Sequence, residues 1–198
     1  MKNFFAFAAA LFLTLAASST QAAFLIEVDV DGADDAVLTF SPNFSFGGDT
    51  TTASQSSAST AFGLTGGDSI FGGDGVNDPD TYVYAYDPSS EADNLVLPAG
   101  TQLGEGQIGL GNVGGGPGTY RVYATWPFTS NVSGGLTNYE VVTAGDSFST
   151  QVDQNGGGAG RGNVWVFVGE IDYTSGPITV TQTAGSNTFV STRSAAVM

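Results

Sequence analysis

The stretch Gly118-Thr-Tyr-Arg-Val-Tyr-Ala-Thr-Trp-Pro127, answered by Asn163-Val-Trp-Val-Phe-Val-Gly169, decides the fold class of this chain. In the first run Tyr120, Val122, Ala124 and Trp126 alternate with Arg121, Tyr123 and Thr125. A period of two puts one face of a strand in a core and turns the other toward water. Pro127 ends that ladder, because it has no N–H to donate. In the second run positions 164–168 are all apolar, which predicts a strand covered on both faces and central in its sheet. Both tryptophans lie on these two runs and are expected to anchor the core.

Working outward, the remaining strand-like segments are short and separated by turn signals. They are expected at 24–30 with 36–40 as its partner, at 81–86, 95–97 and 107–110, at 138–143 joined across Gly145-Asp146 to 147–152, and at 171–173, 178–183 and 188–192. Residues 47–60 are almost all Gly, Ser, Thr, Asp and Ala, a flexible loop by composition or a weak edge strand. With 29 glycines, few charges and no helical period of useful length after the N-terminus, the chain reads as an all-β sandwich. Its length suits a single domain. On 81–86, Tyr82, Tyr84 and Tyr86 share one face. They could form a platform for a sugar ring, but the default is packing in the core with the hydroxyls at its rim.

Residues 1–22 read as a signal peptide: Lys2 as the positive region, an apolar run over 4–17 shorter than the ~20 residues a membrane helix needs, and Thr20-Gln-Ala22 before the cleavage point. The mature chain, 23–198, is then expected to be exported, secreted or at the cell surface, with no membrane insertion. The formal charge is −15, and loss of Lys2 makes it one unit more negative. Such a surface repels nucleic acid and anionic membranes, which are set aside as partners. Cysteine and histidine are both absent, so there is no disulfide framework, no Cys or His metal site, no thiol nucleophile and no imidazole base. Gly109, Gly111 and Gly114 have a GxGxxG-like spacing, but no helix follows to receive a phosphate, and a nucleotide site is rejected.

Hard oxygen ligands are densest at Asp74, Asn77, Asp78, Asp80, Asp87 and Asp93, a candidate calcium set, since calcium takes six to eight oxygens from acidic loops. A simply solvated acidic loop is the plainer alternative. Asp29, Asp31, Asp34 and Asp35 form a poorer cluster. For a carbohydrate the candidates are Tyr123, Trp126, Asn131 and Asn138, aromatic faces for the C–H side of a sugar and amides for its hydroxyls. Burial of Trp126 and Trp165 is nevertheless the default for the two largest apolar side chains. Arg121 with Tyr123 could suggest a lyase, but Tyr123 stands beside a core tryptophan and reads as structural. No catalytic residue is assigned.

The order Gly-x-Tyr-x-Val-Tyr-x-x-Trp-Pro, then Asn131, Tyr139-x-Val141, Val152-Asp-Gln154, Trp165-x-x-Val-Gly169 and Ala196-Val197 resembles the golvesin C-terminal domain, also called the xanthan lyase carbohydrate-binding-like domain. The resemblance is strongest over 118–198. It implies a jelly-roll type of β-sandwich on secreted or surface proteins and a role in binding polysaccharide. Two positions depart from the family: Val132 and Ser133 follow Asn131 where a basic residue is common, and Ser194-Ala-Ala-Val197 lacks the family's aspartate. The expectation is a non-catalytic surface or matrix module that binds extracellular polysaccharide, with calcium as a candidate helper. The alternative is a structural or adhesive protein that binds protein partners or itself through an acidic, calcium-bridged surface.

Overall fold

The described residues form fourteen strands, and in longer ones such as 81–86 and 136–142 alternation decides which face is buried. The computed structural model describes residues 28–30, 40–48, 52–54, 58–61, 64, 69–72, 80–89, 101–103, 107–109, 116–128, 136–154, 162–185 and 192–198. The strands are β1 (Val28–Asp29), β2 (Phe44–Gly47), β3 (Thr52–Ser54), β4 (Ser69–Gly72), β5 (Thr81–Tyr86), β6 (Thr101–Leu103), β7 (Gln107–Gly109), β8 (Gly118–Thr125), β9 (Leu136–Val142), β10 (Ser147–Asp153), β11 (Val166–Tyr173), β12 (Ile178–Ala184), β13 (Thr192–Ser194) and β14 (Ala196–Val197). No helix occurs among these residues.

Two antiparallel sheets, ordered β1-β14-β8-β11 and β10-β9-β12-β5-β2, face each other as a β-sandwich; β13-β4-β3 and the hairpin β6-β7 are smaller additions. The core between them takes Val122, Ala124, Trp126, Val168 and Ile171 from one side, and Phe44, Tyr82, Tyr84, Tyr86, Tyr139, Val141 and Val180 from the other. The three tyrosines of β5 are therefore core residues, not a sugar platform. The hydroxyls of Tyr84 and Ser194 lie 2.5 Å apart, so a buried phenol keeps a partner.

The two founding strands exchange the roles expected of them. β8 lies between β14 and β11, and it is buried on both faces from Val122 to Trp126. Behind it, Tyr123 packs in a second small core with Ala61, Trp165 and Ala196, and the hydroxyls of Ser59 and Thr125 meet at 2.8 Å. β11 is the last strand in its sheet's described order, with Val164 before it and Phe167 within it 42% and 39% exposed. The apolar run of 164–168 serves two small surfaces rather than two covering layers. It also continues through Ile171–Tyr173 as one strand, since its register against β8 shifts between Phe167 and Gly169, a bulge.

Loops are tied down by polar groups at defined points. Asn163, held at φ 63°, donates its N–H to the Trp126 carbonyl, while its Oδ1 accepts from the N–H groups of Phe128 and Thr60. Asparagine tolerates this left-handed backbone better than most side chains. Inside the sandwich, the Gln154 amide donates to the Arg193 carbonyl (2.7 Å) and the Tyr139 hydroxyl (3.2 Å) and accepts from the Arg193 N–H (3.0 Å). Gln182 also donates to the Arg193 carbonyl (2.8 Å). Buried amides whose bonds are all made in this way join β10, β12 and β13 and specify their alignment.

β9 and β12 end their pairing at Gly185, whose N–H donates to the Leu136 carbonyl at 2.7 Å. A Cβ on residue 185 would meet that same oxygen at van der Waals overlap, with the Leu136 carbonyl carbon at 2.8 Å. The obstacle is backbone, which cannot swing aside. Gly185→Ala is expected to cost about 2 kcal/mol, in the range of overpacked sites, read as a lowered urea midpoint at unchanged slope. An unchanged midpoint would show that the 185 turn relaxes freely.

Candidate functional site

The outward face of the five-stranded sheet presents a polar groove. Tyr139 and Val141 of β9 point into the core, so Leu136, Asn138, Glu140 and Val142 must point out. In register, Glu140 stands between Ser149 of β10 and Thr181 of β12, and Asn138 between Gln151 and Thr183. These two cross-strand rows, with backbone from Tyr139 and Thr150, line a groove of about 380 Å³.

The rows differ in how far they satisfy themselves. Gln151 Nε2 donates to Asn138 Oδ1 at 2.8 Å, and Asn138 Nδ2 lies 3.4 Å from Thr183 Oγ1. The chain of amides and hydroxyl is thereby held in one orientation before any ligand arrives. In the other row, no described residue hydrogen-bonds the Glu140 carboxylate or the hydroxyls of Ser149 and Thr181. Exposed Leu136 and Val142 stand at either end of β9, a span of roughly 20 Å at ~3.3 Å per residue. The arrangement can form hydrogen bonds with several hydroxyls of an extended ligand. Among the described residues it has no aromatic ring on its face and no pair of opposed carboxylates.

The sequence candidates fall in separate places. Asn138 lies at the groove's centre. Trp126 is fully buried, its indole N–H donating to the Gln154 carbonyl at 3.1 Å, and Tyr123 is 2% exposed beneath Phe167, ring centroids 5.5 Å apart. Neither turns a ring face to solvent, and both lie in the other sheet. Asn131 is outside the described residues. Glu140, Ser149, Gln151, Thr181 and Thr183 were not singled out in the sequence. Their only signal is the outward phase of three strands that pair side by side, and pairing is not visible in any one strand.

Of the oxygen-ligand set, Asp74, Asn77, Asp78 and Asp93 lie outside the described residues, as do Asp31, Asp34 and Asp35 of the second cluster; Asp29 is described only as a residue of β1. Asp80 is fully buried just before β5, and Asp87 follows its other end. Seven residues of extended chain separate them by roughly 23 Å, so one ion cannot bind both. Asp87 Oδ1 accepts from Ser89 Oγ (2.6 Å), the Ser89 N–H (2.9 Å) and the Tyr173 hydroxyl (3.0 Å). The Ser89 bonds hold its carboxyl below the usual aspartate value. That oxygen is occupied by the turn it closes. Among the described residues no group of three or more acidic side chains could hold a metal ion. Arg121 and Glu170, paired at 2.9 Å, lie across the sandwich from the groove on the exposed face of β8 and β11.

No family model matches this chain, and no curated protein matches it as a relative. Among solved structures it is similar to a xanthan lyase from Paenibacillus, at 20% identity and a TM-score of 0.51, over 87% of this chain and 12% of that one. The likeness shows a related fold. The chain thus spans about an eighth of the lyase's length.

Proposed function

We propose that the mature chain is an exported, non-catalytic module that binds polysaccharide along the groove between β10, β9 and β12. The observation that carries this reading is the pair of cross-strand rows, Gln151–Asn138–Thr183 and Ser149–Glu140–Thr181. Sugars offer dense hydroxyls, and two aligned rows of amide, hydroxyl and carboxylate groups match them without a large reorganisation. The similarity of fold to part of a xanthan lyase supports the same ligand class, as does the resemblance read over 118–198. Export rests on residues 1–22, which lie outside the described residues.

The test is binding of residues 23–198 to immobilised polysaccharides, beside an Asn138→Ala/Gln151→Ala variant. Both side chains are on the surface, so the fold should survive their loss. Each lost hydrogen bond is worth about 1 kcal/mol, and the double variant should bind about thirtyfold more weakly. Equal binding by wild type and variant would move the site elsewhere. A folded wild type that binds no polysaccharide would overturn the reading and turn attention to protein partners or self-association. Repeating the titration after chelation separates a calcium contribution from the groove's own bonds.

A further inference from the structure

The groove's charge narrows what it can hold. Among the described residues Glu140 is the single ionisable side chain turned into the groove, exposed near the midpoint of β9, with only hydroxyls beside it in its own row. Among the described residues no lysine or arginine lines the groove. The whole sequence has four such residues: Lys2, Arg121, Arg161 and Arg193. Arg121 is engaged by Glu170, and Arg193 is buried with its guanidinium 4.7 Å from the centre of the Phe71 ring, where burial pushes its pKa down. Neither can reach a carboxylate lying on β9. A uronate in the groove would meet Glu140 as a like charge with no cation among the described residues to compensate, and the mature chain's net charge of −16 (19 acids, three arginines) adds to the repulsion.

Resting on the polysaccharide reading, we infer that Glu140 is a specificity-determining residue: the groove takes chains whose sugars are neutral or bear an amine, and rejects those bearing uronate. A glucosamine ammonium over β9 would pair with the Glu140 carboxylate, while the Ser149 and Thr181 hydroxyls, free among the described residues, bond its neighbouring oxygens. Attraction and rejection both come from one side chain, which is how charge most economically separates related ligands. At physiological salt, charges more than ~8 Å away are largely screened, so the local carboxylate outweighs the distant acidic surface.

The experiment titrates residues 23–198 with three soluble probes, a chitosan oligosaccharide, a cello-oligosaccharide and an oligogalacturonate, in 150 mM salt with chelator present. The expected order of affinity is amine, neutral, uronate, with about tenfold between the first and last. Glu140→Gln keeps the hydrogen-bonding shape and removes the charge, and the ratio of amine to uronate affinity should fall about tenfold, any change in neutral binding reporting the altered hydrogen bonds alone. A change of one unit in a net charge of −16 cannot do this by weakening a general attraction for cations. Uronate binding as tight as neutral binding, or an unchanged ratio in Glu140→Gln, would overturn the inference and leave the polysaccharide reading standing. Failure of all three probes to bind would overturn both.

Discussion

Trp126→Ala should remove about 3–5 kcal/mol of folding stability, most of what a domain of this size possesses. Trp126 is fully buried between the two sheets, in contact with the core shared by β8, β5 and β9. Truncation leaves a large cavity that surrounding strands, fixed by their ladders, cannot close. It also strips the Gln154 carbonyl of the indole N–H that donates to it, a further cost of about 1 kcal/mol or more for a buried group left without its bond. Urea unfolding followed by far-UV circular dichroism gives the comparison, with Phe128→Ala as a control. Phe128 is 53% exposed, and its loss should cost about 0.5 kcal/mol or less. A Trp126→Ala loss below about 1 kcal/mol would mean that the sandwich is not centred on this residue. Because the ring is internal, whatever Trp126→Ala variant remains folded in the cold should bind polysaccharide as wild type does.

That result bears on what could be read from the chain alone. The period of two along 118–127 identifies a strand and its core face, and the segments expected at 138–143 and 147–152 are strands as well, because strand patterning is local and each side chain records it. Which strand is central is not local. Tyr123 and Thr125 were expected to face water, but Ser59, Ala61 and Leu64, from a stretch with no strand pattern of its own, cover them. Similarly, the run of 164–168 reads as buried on both faces although Val164 and Phe167 are about two-fifths exposed.

The candidate site was legible only at Asn138. Its neighbours are serines, threonines and a glutamine, indistinguishable in sequence from any solvated strand face, and only register sets them in rows. Nearness in sequence misleads in the same way for acids: Asp80 and Asp87 belong to one acidic stretch, and the strand between them holds them apart. Aromatic residues attract attention as sugar platforms, yet in this sandwich the tyrosines and Trp126 supply the volume that fills the interior.

A core filled with tyrosines has a consequence at high pH. Burial raises the pKa of Tyr139, the Gln154 amide offsetting only part of the effect; burial likewise raises Tyr120, to about 12, and Tyr173. For an acid whose pKa is higher in the folded state, the stabilising contribution is complete below the unfolded value of about 10 and is lost as pH rises through the folded value. Between those limits the unfolded chain ionises while the folded chain does not, so Tyr139 alone should remove about 1.4 kcal/mol per pH unit above pH 10. Tyr120 is only half-buried and should contribute a fraction of that, because solvent screens its charge. The protein should therefore hold its urea midpoint from pH 8 to 9.5 and lose it steeply from pH 10 to 12. Tyr139→Phe gives up the bond from Gln154, costing about 1 kcal/mol at neutral pH, and removes that titration, so its midpoint should start lower but fall less steeply. The two curves should converge near pH 11. Parallel curves would mean that the Tyr139 phenol ionises in the folded sandwich as easily as in the open chain, which a sealed core between β9 and β8 does not allow.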